Sequence, residues 1–310
     1  MKILLATDGS PSAAKAEALV AAITWPPATE IEVLCVDQFV DAEFDLSPER
    51  LVAAHTRVRR EIDERLGAVL ERLSGPGRSV RARIVFGRPA SAIVQEAKQL
   101  GVELVIVGSH NHGAVVSYML GSVSAEVVDR APCPVLVARR SILGPIVLGH
   151  DGSDGARQAE RLVATWPFLA RESVRVVSVS PLLPPWYAAV DVGLSSGIDA
   201  AFLQELADAE RAEAGRIARE AVGRLLALGV HVSGDVHAGA PAGGLLAAIA
   251  ATKAQLVVVG SRGNGGLSRL LLGSVARSIL YQAPCSVLIV RETKRVERSG
   301  RAWDQAGVAV

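Results

Sequence analysis

The segment Gly260-Ser-Arg-Gly263-Asn-Gly265-Gly266, continuing to Gly273-Ser274-Val275, has the residue types that hold an anion. Its glycines permit positive φ and let backbone N–H groups reach a ligand with no Cβ in the way. Gly273-Ser274 opens a predicted helix, whose free amides and positive dipole end favour phosphate. The Ser274 hydroxyl adds a donor, and Arg262 and Arg269 can supply countercharge. A second version occurs earlier, with Gly108, then Gly121, Ser122 and Val123 at the matching places. There Asn111 replaces Gly263 and His110 replaces Arg262. Asn tolerates the left-handed region better than most residues, yet its side chain crowds a close approach. In the later copy Ala276 stands where Ser124 has a hydroxyl, which removes one candidate donor. The later cradle is expected to bind its anion more tightly.

The two loops belong to a longer repeat. Gly108–Arg139 and Gly260–Arg291 align at a constant offset of 152, with 13 of 32 positions identical. LLATDGSPSA from Leu4 returns as VLGHDGSDGA from Val147, pairing Asp8 with Asp151 at an offset of 143. The change of offset implies a net insertion around 181–197. A period near 145 residues is the size of a domain rather than of a solenoid unit. The chain therefore reads as domains over 1–140 and 144–292, with 293–310 a polar, aperiodic tail.

Short apolar runs alternate with amphipathic stretches in both halves. Strands are predicted over 2–6, 32–36, 80–86, 104–107 and 135–138, then 145–149, 174–179, 230–236, 256–259 and 287–290. Helices are predicted over 11–23, 48–73, 89–99 and 122–130, then 155–165, 199–228, 241–252 and 274–282. Runs such as LVIVG and LVVVG are apolar on successive residues, as strands covered on both faces are. The fold class is α/β, with two tandem, doubly wound, five-stranded parallel sheets of Rossmann-like type. In such sheets ligands bind beyond the carboxyl ends of the strands at the switch point. That brings together the turn after strand one (Asp8, Asp151), the end of strand two (Val36, Val179) and the glycine loop after strand four, entered through Val259.

These motifs, in this order and twice over, resemble the universal stress protein family. Gly260-x2-Gly263-x9-Gly273-Ser274 is similar to its ATP-binding loop, and the ATDGS start and the APC-x-V-L final strand are similar to its ends. The resemblance implies a tandem member of the adenine nucleotide alpha hydrolase-like fold that binds ATP, with Mg2+ as a companion cation. It assigns Asp151, Val179, Gly260, Gly263, Gly273, Ser274 and Val275 to the nucleotide in the second domain. In the first it assigns Asp8, Val36, Gly108, Gly121, Ser122 and Val123. It also implies that the strands after APC pair, here within one chain (135–138 against 287–290), with a homodimer of chains as a further level.

Other classes find less support. Half of the residues are apolar and the formal net charge is +1, so neither disorder nor a basic nucleic-acid surface is expected. No apolar run has the length of a membrane span. A strand-like stretch from Ile3 argues against a signal peptide, and three cysteines are no disulfide framework, so a cytoplasmic setting is expected. There is no G-x4-G-K-[ST], G-x-G-x-x-G or G-x-S-x-G motif, so a dedicated enzyme is not expected, though slow ATP hydrolysis stays open. A nucleotide-free dimeric scaffold is the alternative from another class. The aspartates have a bland alternative as turn or N-cap residues. His110 and His112 lack a third metal ligand, so no metal site is assigned, and Cys133 and Cys285 read as small buried apolar residues.

Overall fold

The computed structural model describes residues 1–38, 48–109, 120–181, 200–263 and 272–291, with 48–55 and 200 described by backbone alone. The first half runs β1 (Lys2–Ala6), α1 (Pro11–Ala22), β2 (Thr29–Asp37), α2 (Pro48–Leu73), β3 (Arg78–Phe86), α3 (Pro89–Leu100), β4 (Leu104–Gly108), α4 (Ser122–Arg130) and β5 (Val135–Ala138). The second runs β6 (Ile146–Gly149), α5 (Asp154–Thr165), α6 (Pro167–Ala170), β7 (Val174–Ser180), α7 (Ala200–Ala227), β8 (Val232–Ala238), α8 (Pro241–Thr252), β9 (Leu256–Gly260), α9 (Ser274–Gln282) and β10 (Ser286–Val290).

Helix starts follow local chemistry. Pro11, Pro89 and Pro241 occupy first-turn positions, where a missing N–H costs nothing. Gly101 ends α3 in the left-handed region at φ 61°. The one-turn helix α6 was not anticipated; Pro167 begins it directly after the C-cap of α5 at Trp166.

The two expected five-stranded parallel sheets form, and the expected pairing of 135–138 with 287–290 joins them edge to edge. The joined order is β3-β2-β1-β4-β5-β10-β9-β6-β7-β8, two five-stranded parallel halves joined through β5 and β10. That junction is antiparallel, with Val137 opposite Val287, Leu136 opposite Leu288 and Val135 opposite Ile289. Leu136 and Leu288 are repeat equivalents, so a pseudo-two-fold axis passes between them. The fusion removes two sheet edges that each half alone would expose.

Both faces of the sheet are covered. One apolar layer lies under α1, α2, α5 and α7, with Leu19, Leu66, Val163 and Leu225 among its residues. The other lies under α3, α4, α8 and α9, with Ile93, Val127, Ile249 and Ile279. Trp25 of the first half meets Phe168 of the second edge to face, at 4.8 Å between ring centroids. Both halves thus present the carboxyl ends of β1/β4 and of β6/β9 as the switch points where side chains and loops can converge.

Candidate functional site: a glycine-lined crevice in the second domain

At the carboxyl ends of β6, β7 and β9 lies a cavity of about 490 Å³. Its floor is apolar, made by Val177, Val179, Leu245 and Val259. Its rim carries Asp151, Gly260, Arg262, Gly263, Gly273 and Ser274. The volume falls within the range of small-molecule sites. Nine of the ten sequence-assigned residues of this domain, Val259 and Val275 among them, therefore meet around one space. Gly265 and Arg269 lie outside the described residues.

The turn after β6 is built around Asp151. Its Oδ1 accepts from the Ser153 amide at 3.0 Å and from the Ser153 hydroxyl at 2.5 Å. Ser153, not Asp151, is the N-cap of α5, accepting from the Ala156 amide at 3.2 Å. The aspartate is thus a turn residue through one oxygen while its other oxygen faces the loop. A Cβ on Gly263 would stand 2.4 Å from Asp151 Oδ2, so glycine at 263 is what lets the loop close on the carboxylate.

The loop's entry depends on a residue that sequence reasoning missed. A Cβ on Gly155 would lie 2.3 Å from the Arg262 carbonyl oxygen, and one on Gly260 would lie 2.5 Å from the Gly155 backbone. Helix α5 and the loop are therefore in backbone contact. The 143-residue offset carries the signal: the equivalent of Gly155 is Ser12, whose Cβ a loop on the same path would meet. Gly273 then caps α9 without a side chain, so no cap side chain takes up the first amides of that helix.

In the first domain the corresponding crevice, at the ends of β1, β2 and β4, has a volume of only about 70 Å³. Asp8, Val36, Gly108, Gly121 and Val123 line it, and Ser122 begins α4 beside it. Asn111, His110 and His112 lie outside the described residues. The Ser124 hydroxyl donates to the Gly108 carbonyl at 2.6 Å. It ties helix α4 to strand β4, a tie that Ala276 cannot make in the second domain.

Behind each Asp turn sits a buried acid. Glu160 accepts from Arg224 at 2.7 and 2.9 Å and contacts His150 Nε2 at 2.9 Å. Burial opposes its charge, but these hydrogen bonds outweigh burial and bring its carboxyl down to about 2. Cys133 and Cys285 are buried, and burial pushes their thiols up to about 12 and about 11, the behaviour of inert core cysteines. Among the described residues no group of three or more His, Cys, Asp or Glu is placed to hold a metal ion. Nor is any described helix long and apolar enough to cross a membrane.

The sequence profile of the Universal stress protein family matches residues 1–139 and again 143–291. This chain belongs to that family. Universal stress protein Rv2623 of Mycobacterium tuberculosis is 30% identical over 304 residues, covering 94% of this chain and 96% of its own. Universal stress protein Rv2005c of the same species is 32% identical over 222 residues, covering 69% and 70%. The crystal structure of a universal stress protein from Archaeoglobus fulgidus superposes with a TM-score of 0.61 at 20% identity, covering 94% of this chain and 98% of that one. At that identity the likeness speaks for the tandem fold alone.

Proposed function

We propose that this tandem universal stress protein is an ATP-binding regulator that holds one nucleotide, in the crevice of its second domain. The observation that carries this reading is the contrast of about 490 Å³ against about 70 Å³ between equivalent crevices. The donor set fits the ligand. The open first turn of α9 and the Ser274 hydroxyl suit a phosphate chain, with Arg262 on the same rim for countercharge. The apolar floor between Val177 and Leu245 suits a flat base, and Asp151 on the rim suits a ribose hydroxyl. Mg2+, if present, would be held chiefly by phosphate oxygens and water, since the described rim offers one carboxylate.

As a regulator, the protein would change stability or partner affinity with nucleotide occupancy. Calorimetric titration of the full chain with MgATP tests the reading. One site per chain is expected, and Gly263→Ala should weaken it by displacing Asp151. Two equal sites would refute the asymmetry, and no heat or retention at millimolar nucleotide would favour a nucleotide-free scaffold.

A further inference from the structure

The two domains solve the same problem behind their Asp turns with different chemistry. In the first, the Thr7 hydroxyl donates to Glu17 Oε1 at 2.6 Å and accepts from the Gly9 amide at 3.3 Å. Glu17 is held in turn by Arg72 at 3.0 Å. In the second, His150 takes the place of Thr7. Its Nδ1 accepts from the Gly152 amide at 3.2 Å, and its Nε2 meets Glu160 Oε2 at 2.9 Å. Arg224 holds Glu160 as Arg72 holds Glu17.

A hydroxyl can donate and accept at once at any pH. An imidazole does both only when neutral, with its hydrogen on Nε2. Once protonated it has two donors, and Nδ1–H then points at the Gly152 N–H. Gly152 has φ 76° and directly follows Asp151, so losing this bond loosens the turn that sets the carboxylate on the crevice rim. The His150 side chain is 1% exposed. A second cavity of about 420 Å³ counts His150, Arg157, Glu220 and Arg224 among its lining residues.

We propose that His150 is a positioning residue for the second crevice, supporting the Asp151 turn only in its neutral Nε2–H form, so that nucleotide affinity falls as the imidazole is protonated. The proposal rests on the nucleotide reading above. Thr7 makes the first domain's turn the pH-independent counterpart.

The charges around the ring decide whether this operates. Asp151 lies on its own turn, Glu160 and Arg157 on α5, and Arg224, Glu220, Arg216, Glu213 and Glu210 on α7. Arg262 lies across the crevice. On strand β7 the Ser178 hydroxyl donates to the His150 carbonyl at 2.7 Å. Glu160 contacts the ring through Oε2 and receives two hydrogen bonds from Arg224. Glu160 is thereby held as a charged acceptor for the ring's Nε2–H, with Arg224 bound on its other side.

The test is the ratio of ATP dissociation constants at about pH 5.5 and about pH 8 in the full-length protein. Each protein serves as its own reference, which removes the nucleotide's own protonation from the comparison between proteins. The ratio should be about fivefold larger for the natural protein than for His150→Thr, as loss of one hydrogen bond predicts. His150→Gln, which also offers one donor and one acceptor, should behave like His150→Thr. Equal ratios in all three overturn the proposal. Nitrogen-15 NMR of the histidine ring, without nucleotide, reads the relay directly. A neutral Nε2–H tautomer at high pH, with the Gly152 amide resonance moving as the ring protonates, supports it. An Nδ1–H tautomer overturns it. Absence of ATP binding at every pH would instead sink the nucleotide reading, while the NMR result still decides the relay.

Discussion

Asp151 and Gly263 show how far a single residue's type can be read. The loop motif at 263 predicts a glycine needed for close approach, and a Cβ there would meet Asp151 Oδ2. No such prediction covers Gly155, because nothing in its local sequence distinguishes it from an ordinary glycine in a helix start. Its contact with the Arg262 carbonyl arises between segments more than a hundred residues apart. Gly155→Ser, which copies Ser12, should displace the loop and lower ATP affinity by at least about tenfold if the 2.3 Å approach is relieved by moving the Arg262 backbone. Unchanged affinity in a folded variant would show that the loop path is not what holds the ligand. Glu160 belongs to the same scale. Its carboxyl is depressed to about 2 from an ordinary 4.5, so its contribution to stability is complete above about pH 4.5 and is lost as pH falls toward 2. Urea denaturation should therefore find Glu160→Gln clearly less stable than the natural protein at pH 7, with the gap narrowing toward pH 3.

The elements were largely legible in the sequence. The bounds of the nine strands and helices of the first half follow from continuous apolar runs, first-turn prolines and the αL glycine at 101, with shifts of up to three residues. The start of β2 was read too late because Thr29 and Glu30 are not apolar, yet they pair with Arg78 and Ser79 on the neighbouring strand. The start of β8 was read too early. Val230 is buried but lies outside the ladder, which begins at Val232 opposite Val174. Burial and strand pairing are different properties, and hydropathy reports only the first. Helix α9 starts at Gly273 without a side-chain cap, and its other end is held from outside the domain.

That outside group gives the whole molecule its coherence. Arg139, at the end of β5, donates through Nη2 to the Leu280 carbonyl at 2.6 Å and through Nη1 to the Cys285 carbonyl at 3.3 Å. Arg291, its repeat equivalent after β10, donates to the Asp129 carbonyl at 2.7 Å. Each domain's last strand thus places a guanidinium at the carboxyl end of the other domain's cradle helix, where the dipole favours a cation. Burial disfavours the charge on both arginines, so these carbonyl contacts are needed to keep them in place. Arg139→Met should cost about 2–3 kcal/mol from the lost charged hydrogen bonds. Because the sheet is continuous, thermal unfolding should remain a single transition. Two separate transitions in the natural protein would mean that the halves are not coupled in this way.

The sequence alone determined the duplication, the α/β alternation, the family and the location of the glycine loops, because these rest on local pattern and internal repetition. Tertiary structure decided the rest. It set the antiparallel register at which the two sheets join, made the second crevice the larger one, and turned the Ser124 hydroxyl onto the Gly108 carbonyl. It also set Gly155 against Arg262 and His150 between Gly152 and Glu160. Such outcomes depend on distances between segments far apart in the chain. Residue type limits which contacts are possible there, and only packing selects the ones that form.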